Sequence, residues 1–432
     1  MEPSSSASAD QKSSARKPVV AIVGAGPAGL MAAQQLAENG CHVTIFEHKA
    51  APARKFLMAG RGGLNLTHTT LFEDALEKYG NAAPFLKTAL ENFTPDDMRK
   101  WAHDLSQGTF VGSSGRVFPK TLKASPLLRA WLRHLSYFNV DLRLKQHWNG
   151  WSQDGALTFV TLGSAGEPLT PTSFHADATL LAMGGASWPN LGTDGRWTTA
   201  LVEKHIPLTP FAPSNAGCHI AWSDHFKTKC AGTPLKNIAL SCHGARAIGD
   251  VVITDTGLEG GACYTLNPAI RDSLKMSDVT HLRLDLKPDV SLADLTERLT
   301  RPRGRQSQSN QIRKATGLSP AAITLLREHQ NGALPANPDE LANLIKHMPL
   351  ACTGLSGLNR AISTAGGISL AAIGEDYMLA GLPGVFVAGE MLDWEAPTGG
   401  YLLQATFATA KAAAHAMLTY LDATLSQDQK GT

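Results

Sequence analysis

Cysteine is sparse and unpatterned in this chain. The six cysteines, at 41, 218, 230, 242, 263 and 352, include no CxxC pair. That is far below the density of a disulfide scaffold, so free thiols in a reduced, cytoplasmic compartment are expected. Cys218, His219, His225, Cys230, Cys242 and His243 lie close in sequence, but their spacing matches no zinc template, and no metal is expected. Neither sign of charge dominates. Lys plus Arg number 39 against 37 Asp plus Glu, which excludes a strongly basic coat protein or an acidic-tail protein but leaves room for a local basic patch. No apolar run reaches the roughly 18 residues of a membrane span without Gly or polar breaks. No GxSxG occurs, so a serine-nucleophile elbow has no signature.

What is present reads as globular. The composition is 43% hydrophobic and 18% charged, and the length suits two or three domains of about 150 residues each. Residues 1–17 are Ser- and Ala-rich and are expected to form a mobile tail.

Order begins with Val19-Val20-Ala21-Ile22-Val23, an apolar run typical of a buried parallel strand. Gly24-Ala25-Gly26-Pro27-Ala28-Gly29 follows, then helix-forming residues to Ala37, with Gly40 as the stop. A second strand, His42 to Phe46, ends at Glu47. Each glycine of this GxGxxG has a distinct task. Gly24 permits the tight turn, Gly26 lets the backbone approach a pyrophosphate, and Gly29 lets helix and strand pack closely. The helix N-terminus presents free N–H groups to phosphate. Glu47 sits where a carboxylate accepts bonds from a ribose diol. Dinucleotide binding is therefore expected. The carboxylate disfavours a 2′-phosphate, which leaves NAD and FAD.

Three further glycine clusters bear on that choice. In residues 57–68, Arg61, Gly62 and Gly63 are placed to hold a second face of the pyrophosphate. Residues 179–190 read as a strand ending at Gly184-Gly185, a close backbone approach to something bound. Near the C-terminus a strand ends at Gly389-Glu390, and a helix starts near Gly400-Tyr401-Leu402. Its positive end suits the N1/C2 carbonyl side of a reduced flavin, with Glu390 toward the ribityl or phosphate region. A single NAD fold does not need this C-terminal pair. A two-part FAD fold does.

On these segments, from about residue 18 to 415, the chain resembles the BaiN/RdsA-type flavoproteins, a group of NAD(P)/FAD-dependent oxidoreductases. Gly115-Arg116-Val117-Phe118-Pro119 with Lys123-Ala124, and Thr364-Ala365-Gly366-Gly367, resemble family signatures as well. The resemblance implies FAD, with Gly24, Gly26, Gly29 and Glu47 on its ADP half. It places Gly184-Gly185 and Gly389-Glu390 near the cofactor and Gly400-Tyr401-Leu402 at the isoalloxazine. There are departures. The family's SGGGRCNxTN is Ala59 to His68 here, with Gly63-Leu64 in place of the Arg-Cys pair and with Asn65 and Thr67 kept. The segment Thr254 to Ala262 departs from the family's THxGxSGPA, and its TMESK is missing. These changes suggest a separate branch.

Between the Gly184-Gly185 strand and the Gly366-Gly367 turn lies an expected insertion at 196–361, flanked by a cofactor-binding unit of 18–195 and 362–432. Strand-like pieces run over Gly249–Thr254 and His281–Leu286; helices are expected over Ser291–Thr300, Ser319–His329 and Pro338–His347. The fold class is thus α/β: a two-part Rossmann-like FAD-binding domain with an inserted barrel-like and helical domain (helices about 287–348). The resemblance implies that the helical piece is similar to an RNA-binding fold. Residues 298–327 hold Arg298, Arg301, Arg303, Arg305, Arg313, Lys314 and Arg327 with no Asp or Glu. Part reads as a flexible loop, and the cluster suits phosphate contacts. No aromatic residue interleaves, so base stacking is not supported there.

No second GxGxxG follows a strand, so NAD(P)H is expected only as a transient donor. Asn65 and His68 are the candidates for a proton donor or carbonyl polariser. The resulting expectation is hydride transfer through flavin N5 to a polarised C=C bond of a small conjugated substrate. The alternatives are a ribosomal RNA uridine reductase forming dihydrouridine, and a non-enzymatic RNA- or protein-binding flavoprotein.

Overall fold

The computed structural model describes residues 16–59, 62–162, 168–302 and 305–428. Five parallel strands form its central sheet, in the order Val385–Val387, Ala178–Leu181, Val19–Val23, His42–Glu47, Asp141–Leu144. The strand nearest the C-terminus thus lies in one sheet with the strand nearest the N-terminus. Val20, Ala21 and Ile22 are fully buried, because layers cover both faces of a parallel sheet and both sides of each strand must be apolar.

One covering layer is the helix Pro27–Glu38, which packs against the long C-terminal helix Tyr401–Asp428. Ala405, Ala408, Ala410, Ala413 and Ala414 are buried along the latter; small side chains let two helices approach closely. The first helix closes as a Schellman turn: left-handed Gly40 donates to Ala37 O, and Cys41 N–H donates to Leu36 O, both at 3.1 Å. The other layer is a three-stranded meander, Gln146–Trp151, Leu157–Leu162 and Pro168–Phe174, whose Phe159 stacks on Phe46 at 3.9 Å. A small hairpin sheet, Thr67–His68 with Arg116–Pro119 and Thr109–Val111, lies to the side.

The antiparallel pair Leu208–Ser214 and Ser363–Ile368 carries the chain out of this body and back. Between them six strands close a barrel, in the order Cys218–Ile220, Gly257–Glu259, Ala245–Thr254, Pro234–Cys242, Thr280–Asp285, Met348–Leu355. The barrel and its helices share a hydrophobic core separate from that of the parallel sheet. All six cysteines are buried free thiols.

The three expected helices of the insertion form, each behind a side-chain cap, of which Ser319 was legible as a start signal. Leu292–Thr300, Pro320–His329 and Pro338–His347 follow Ser291, Ser319 and Asn337, each of which accepts a backbone N–H. One element was not expected. Within the basic segment read in part as a loop, Gln308–Thr316 is helical, because Ser307 caps it, Ile312 and Thr316 are buried, and Gly317 ends it at φ +69°. The expected tail also differs at its end. Arg16 pairs with Asp177 at 2.7 Å, while residues 1–15 lie outside the described residues.

Candidate functional site

Four chain segments meet at the carboxyl edge of the parallel sheet. Gly24–Gly29 follows Val23, Glu47 ends the second strand, Gly184-Gly185 follows Leu181, and Gly389-Glu390 follows Val387. Open α/β sheets bind ligands at this edge. The glycines hold tasks that a side chain would block. A Cβ on Gly24 (φ +107°) would lie 2.4 Å from Ala182 O, and one on Gly29 would lie 1.9 Å from Gly24 O. Gly26 has no such neighbour closer than 4.0 Å. Its open face is the cradle a pyrophosphate needs. Gly26 also caps the helix without a side-chain bond, and Pro27 takes the first turn, where its missing N–H costs nothing. Ala28 meets the far C-terminal segment: a Cβ on Gly389 would lie 2.8 Å from that of Ala28.

Glu47 is tied to the same loop. One carboxylate oxygen accepts Ala25 N–H at 3.0 Å, and the other accepts Lys49 N–H at 2.8 Å. Burial nevertheless pushes its pKa up. Each oxygen keeps acceptor capacity for a further donor, as a ribose diol requires. The neighbouring His48 places Nδ1 3.2 Å from Glu47 Oε1, and its buried Nε2 has no partner among the described residues. Burial, and then the charge of Lys49, draws the His48 pKa down to about 4.

A polar cluster that the sequence did not reveal sits between the strand ends. Lys55 Nζ lies 2.9 and 2.7 Å from the two oxygens of Glu390 and 2.6 Å from Ser187 Oγ. Thr364 N–H donates to Glu390 Oε1 at 3.0 Å, and its Oγ1 accepts Ala186 N–H at 2.9 Å. Glu390 thus accepts from both Lys55 and Thr364 N–H within the protein, and its carboxylate keeps acceptor capacity for a further donor. Gly185 is glycine because a Cβ would lie 2.6 Å from Thr364; Gly184 adopts φ +74° under Thr193. Lys55 and Glu390 are 335 positions apart. No local spacing signals such a pair.

The remaining candidates flank the start of the C-terminal helix. Gly400 (φ +100°) packs on the backbone of Thr67, where a Cβ would lie 2.6 Å away. Thr67 Oγ1 donates to Gln404 at 2.7 Å, and Tyr79 OH donates to Tyr401 O at 2.9 Å. The rings of His68 and Tyr401 stack at 5.6 Å, and Leu402 is partly buried. His68 Nδ1 accepts Thr70 N–H at 3.1 Å, which puts the ring proton on Nε2; burial lowers its pKa. Asn65 Oδ1 is buried with no partner among the described residues, an acceptor waiting for a donor. Gly62 is exposed with open space around it, and Gly63 turns at φ +110° beside Phe118. Arg61 lies outside the described residues.

A curated relative, the 3-dehydro-bile acid delta(4,6)-reductase of Clostridium scindens, is 24% identical over 90% of this chain and 96% of its own length. A ribosomal RNA dihydrouridine synthase of Haemophilus influenzae is 24% identical over 91% of this chain and 96% of its own. Among solved structures, the open form of a flavocytochrome c3 fumarate reductase covers 94% of this chain and 79% of its own at 15% identity, with a TM-score of 0.49. So slight a likeness says nothing of activity. The family described as HI0933-like protein Rossmann domain matches residues 18–416. The chain belongs to that HI0933-like Rossmann family.

Proposed function

We propose that this protein is an FAD-dependent oxidoreductase that reduces a polarised carbon–carbon double bond. The observation that carries the reading is the meeting of N- and C-terminal segments at one sheet edge, with Gly26 open, Gly389 against Ala28 and Gly400 against Thr67. A nicotinamide site alone leaves the second half of this arrangement without a use. When bound, FAD supplies hydride through its N5, having taken it from NAD(P)H or another donor.

The chain's own residues hold and orient. Gly24, Ala25, Gly26, Pro27, Ala28 and Gly29 hold the pyrophosphate, helped by Arg61, Gly62 and Gly63, and Glu47 holds the ribose. Gly184, Gly185 and Gly389 keep the backbone close, while Glu390 at the end of the last strand is held by Lys55 and by Thr364 N–H. Gly400, Tyr401 and Leu402 present the helix end to the ring system. His68, whose Nδ1 accepts Thr70 N–H, is the group placed here to give a proton or polarise a carbonyl through Nε2–H, and Asn65 Oδ1 accepts a bond from ring or substrate. Both named relatives are, by name, enzymes whose products have gained hydrogen, which supports a reductive direction.

A specific surface favours ribosomal RNA as an alternative substrate. From residue 105 to 140 there is no Asp or Glu. Exposed Phe110 stacks on Phe118 at 5.7 Å. Arg116, Lys120 and Lys123 stand exposed beside them, and Arg116 pairs across strands with His68. Stacking rings and cations next to the proton donor suit an RNA strand. Exposed Arg298, Arg301, Arg305, Arg313 and Lys314 add a second basic surface; Arg303 lies outside the described residues. Nucleoside mass analysis of ribosomal RNA from cells with and without the gene tests this. Loss of a two-hydrogen mass gain on one uridine makes RNA the substrate. An unchanged profile, with bound flavin that is reduced by NAD(P)H and reoxidised by conjugated acceptors, selects a small molecule. Purified protein that takes up no FAD overturns the proposal.

A further inference from the structure

The turn that leads into the C-terminal helix is held from an unexpected quarter. Trp394 Nε1–H donates to Gly389 O at 2.8 Å, which fixes the turn's beginning. Its middle is held by residues at the root of the inserted barrel. Asn215, at the end of the outgoing strand, donates from Nδ2 to Ala396 O at 2.8 Å and to Ser363 Oγ at 2.7 Å. Its Oδ1 accepts Thr398 N–H at 3.0 Å. One carboxamide thus joins the outgoing strand, the returning strand and the turn, across separations of up to 183 residues. Beside it, Arg271 of the insertion grips Glu395 through both Nη atoms and donates to Pro213 O at 3.1 Å. Gly399 and Gly400 follow at φ +134° and +100°, two left-handed positions in a row. Such a turn has no side chains of its own to brace it.

Asn215 is only 1% exposed and stands at φ +54°. A buried side chain whose donors and acceptor all reach distant backbone or hydroxyl groups acts as a clamp. We infer that Asn215 is a positioning residue: it fixes the Gly399-Gly400 turn, and with it the orientation of the helix end toward the flavin ring, and the Arg271–Glu395 pair couples that turn to the inserted barrel. The inference rests on the FAD reading above. The ADP half of the site, Gly24–Gly29 and Glu47, makes none of these contacts, so the two halves are separable by experiment.

Asn215→Gly is the main test, because glycine tolerates the left-handed backbone and removes only the carboxamide. The apoprotein of this variant is expected to bind ADP within about twofold of wild type. In the flavin-loaded variant the absorption spectrum shifts and the reduction potential becomes more negative, because the helix end no longer faces the reduced ring squarely. Flavin reduction by the donor slows roughly tenfold or more through misplacement. Asn215→Asp keeps an acceptor for Thr398 but sets an oxygen against Ala396 O, and should shift the potential at least as far as Asn215→Gly. If Asn215→Gly is too unstable to purify, Arg271→Met with Glu395→Gln leaves the carboxamide in place and should shift the same potential by less. A loaded Asn215→Gly protein with wild-type spectrum and potential overturns this inference alone. A wild-type protein that takes up no FAD overturns the cofactor reading, and this inference with it.

Discussion

Glu47 and His48 are neighbours in sequence, and burial favours the neutral form of each. Glu47 accepts two backbone N–H groups, those of Ala25 and Lys49. Glu47→Ala should weaken FAD retention by about tenfold, since the ribose hydroxyls lose a charged acceptor, a bond worth about 1.5–3 kcal/mol. Equilibrium dialysis of the apoprotein with FAD measures it, and a fully loaded mutant would falsify the pocket assignment. His48 stays neutral when folded because burial, and then Lys49, draws its pKa from 6.5 to about 4. The unfolded chain therefore takes up this proton first as pH falls. The stability His48 contributes is complete above pH 6.5 and is lost as pH drops toward about 4. His48→Gln removes this titration. Urea unfolding near pH 7 and near pH 5 should show wild type losing more stability than the variant; equal losses would mean that His48 titrates normally.

Helix Gln308–Thr316 shows how much one element owes to its ends. Its sequence, QSNQIRKAT, is mostly polar and has Ser and Asn in its first turn, residues that favour turns over helix interiors. Only Ile312 and Thr316 are buried. The Ser307 hydroxyl, which accepts Asn310 N–H at 3.3 Å, and the left-handed Gly317 therefore carry a large share of its definition. Ser307→Ala should cost about 1 kcal/mol. Hydrogen exchange should accelerate across residues 308–316 and leave Pro320–His329 unchanged. Uniform exchange in both helices would show that packing alone holds the element. The same arithmetic explains why composition alone suggests a loop here, whereas the amphipathic pattern of Pro338–His347 is plain. The first helix is legible for another reason: Gly24 and Gly29 stand where a side chain would collide with backbone.

At the scale of the molecule, the RNA reading proposed above has two exposed basic surfaces to choose between. One is the hairpin with Arg116, Lys120 and Lys123; the other is the arm with Arg298, Arg301 and Arg305. Arg301 already faces Glu297 at 3.6 Å, and the arm carries no stacking ring among its described residues. Replacing the three hairpin cations with Gln should lower RNA affinity more than replacing the three of the arm. It should also reduce the salt slope by roughly one unit for each phosphate no longer neutralised. Filter binding across a salt series reads both. An arm variant with the weaker affinity of the two reverses the ranking, and no change in either leaves both as solvated surfaces.

Much of the site is written locally. Gly24, Gly26, Gly29 and Glu47 form one strand–turn–helix–strand unit, so their spacing alone specifies a tight turn at a helix start and a carboxylate beside it. The strand ends at Gly184-Gly185 and Gly389-Glu390 are also visible in the sequence, because a short apolar run that stops at glycine has few other uses. What joins them is decided only in three dimensions. Lys55 finds Glu390, Asn215 finds Ala396 and Thr398, and Gly400 meets Thr67 through contacts between distant parts of the chain. A single polar side chain carries no periodicity that marks its partner. Its role appears only when sheet order and the packing of two cores bring both ends together, and burial then makes the pairing obligatory.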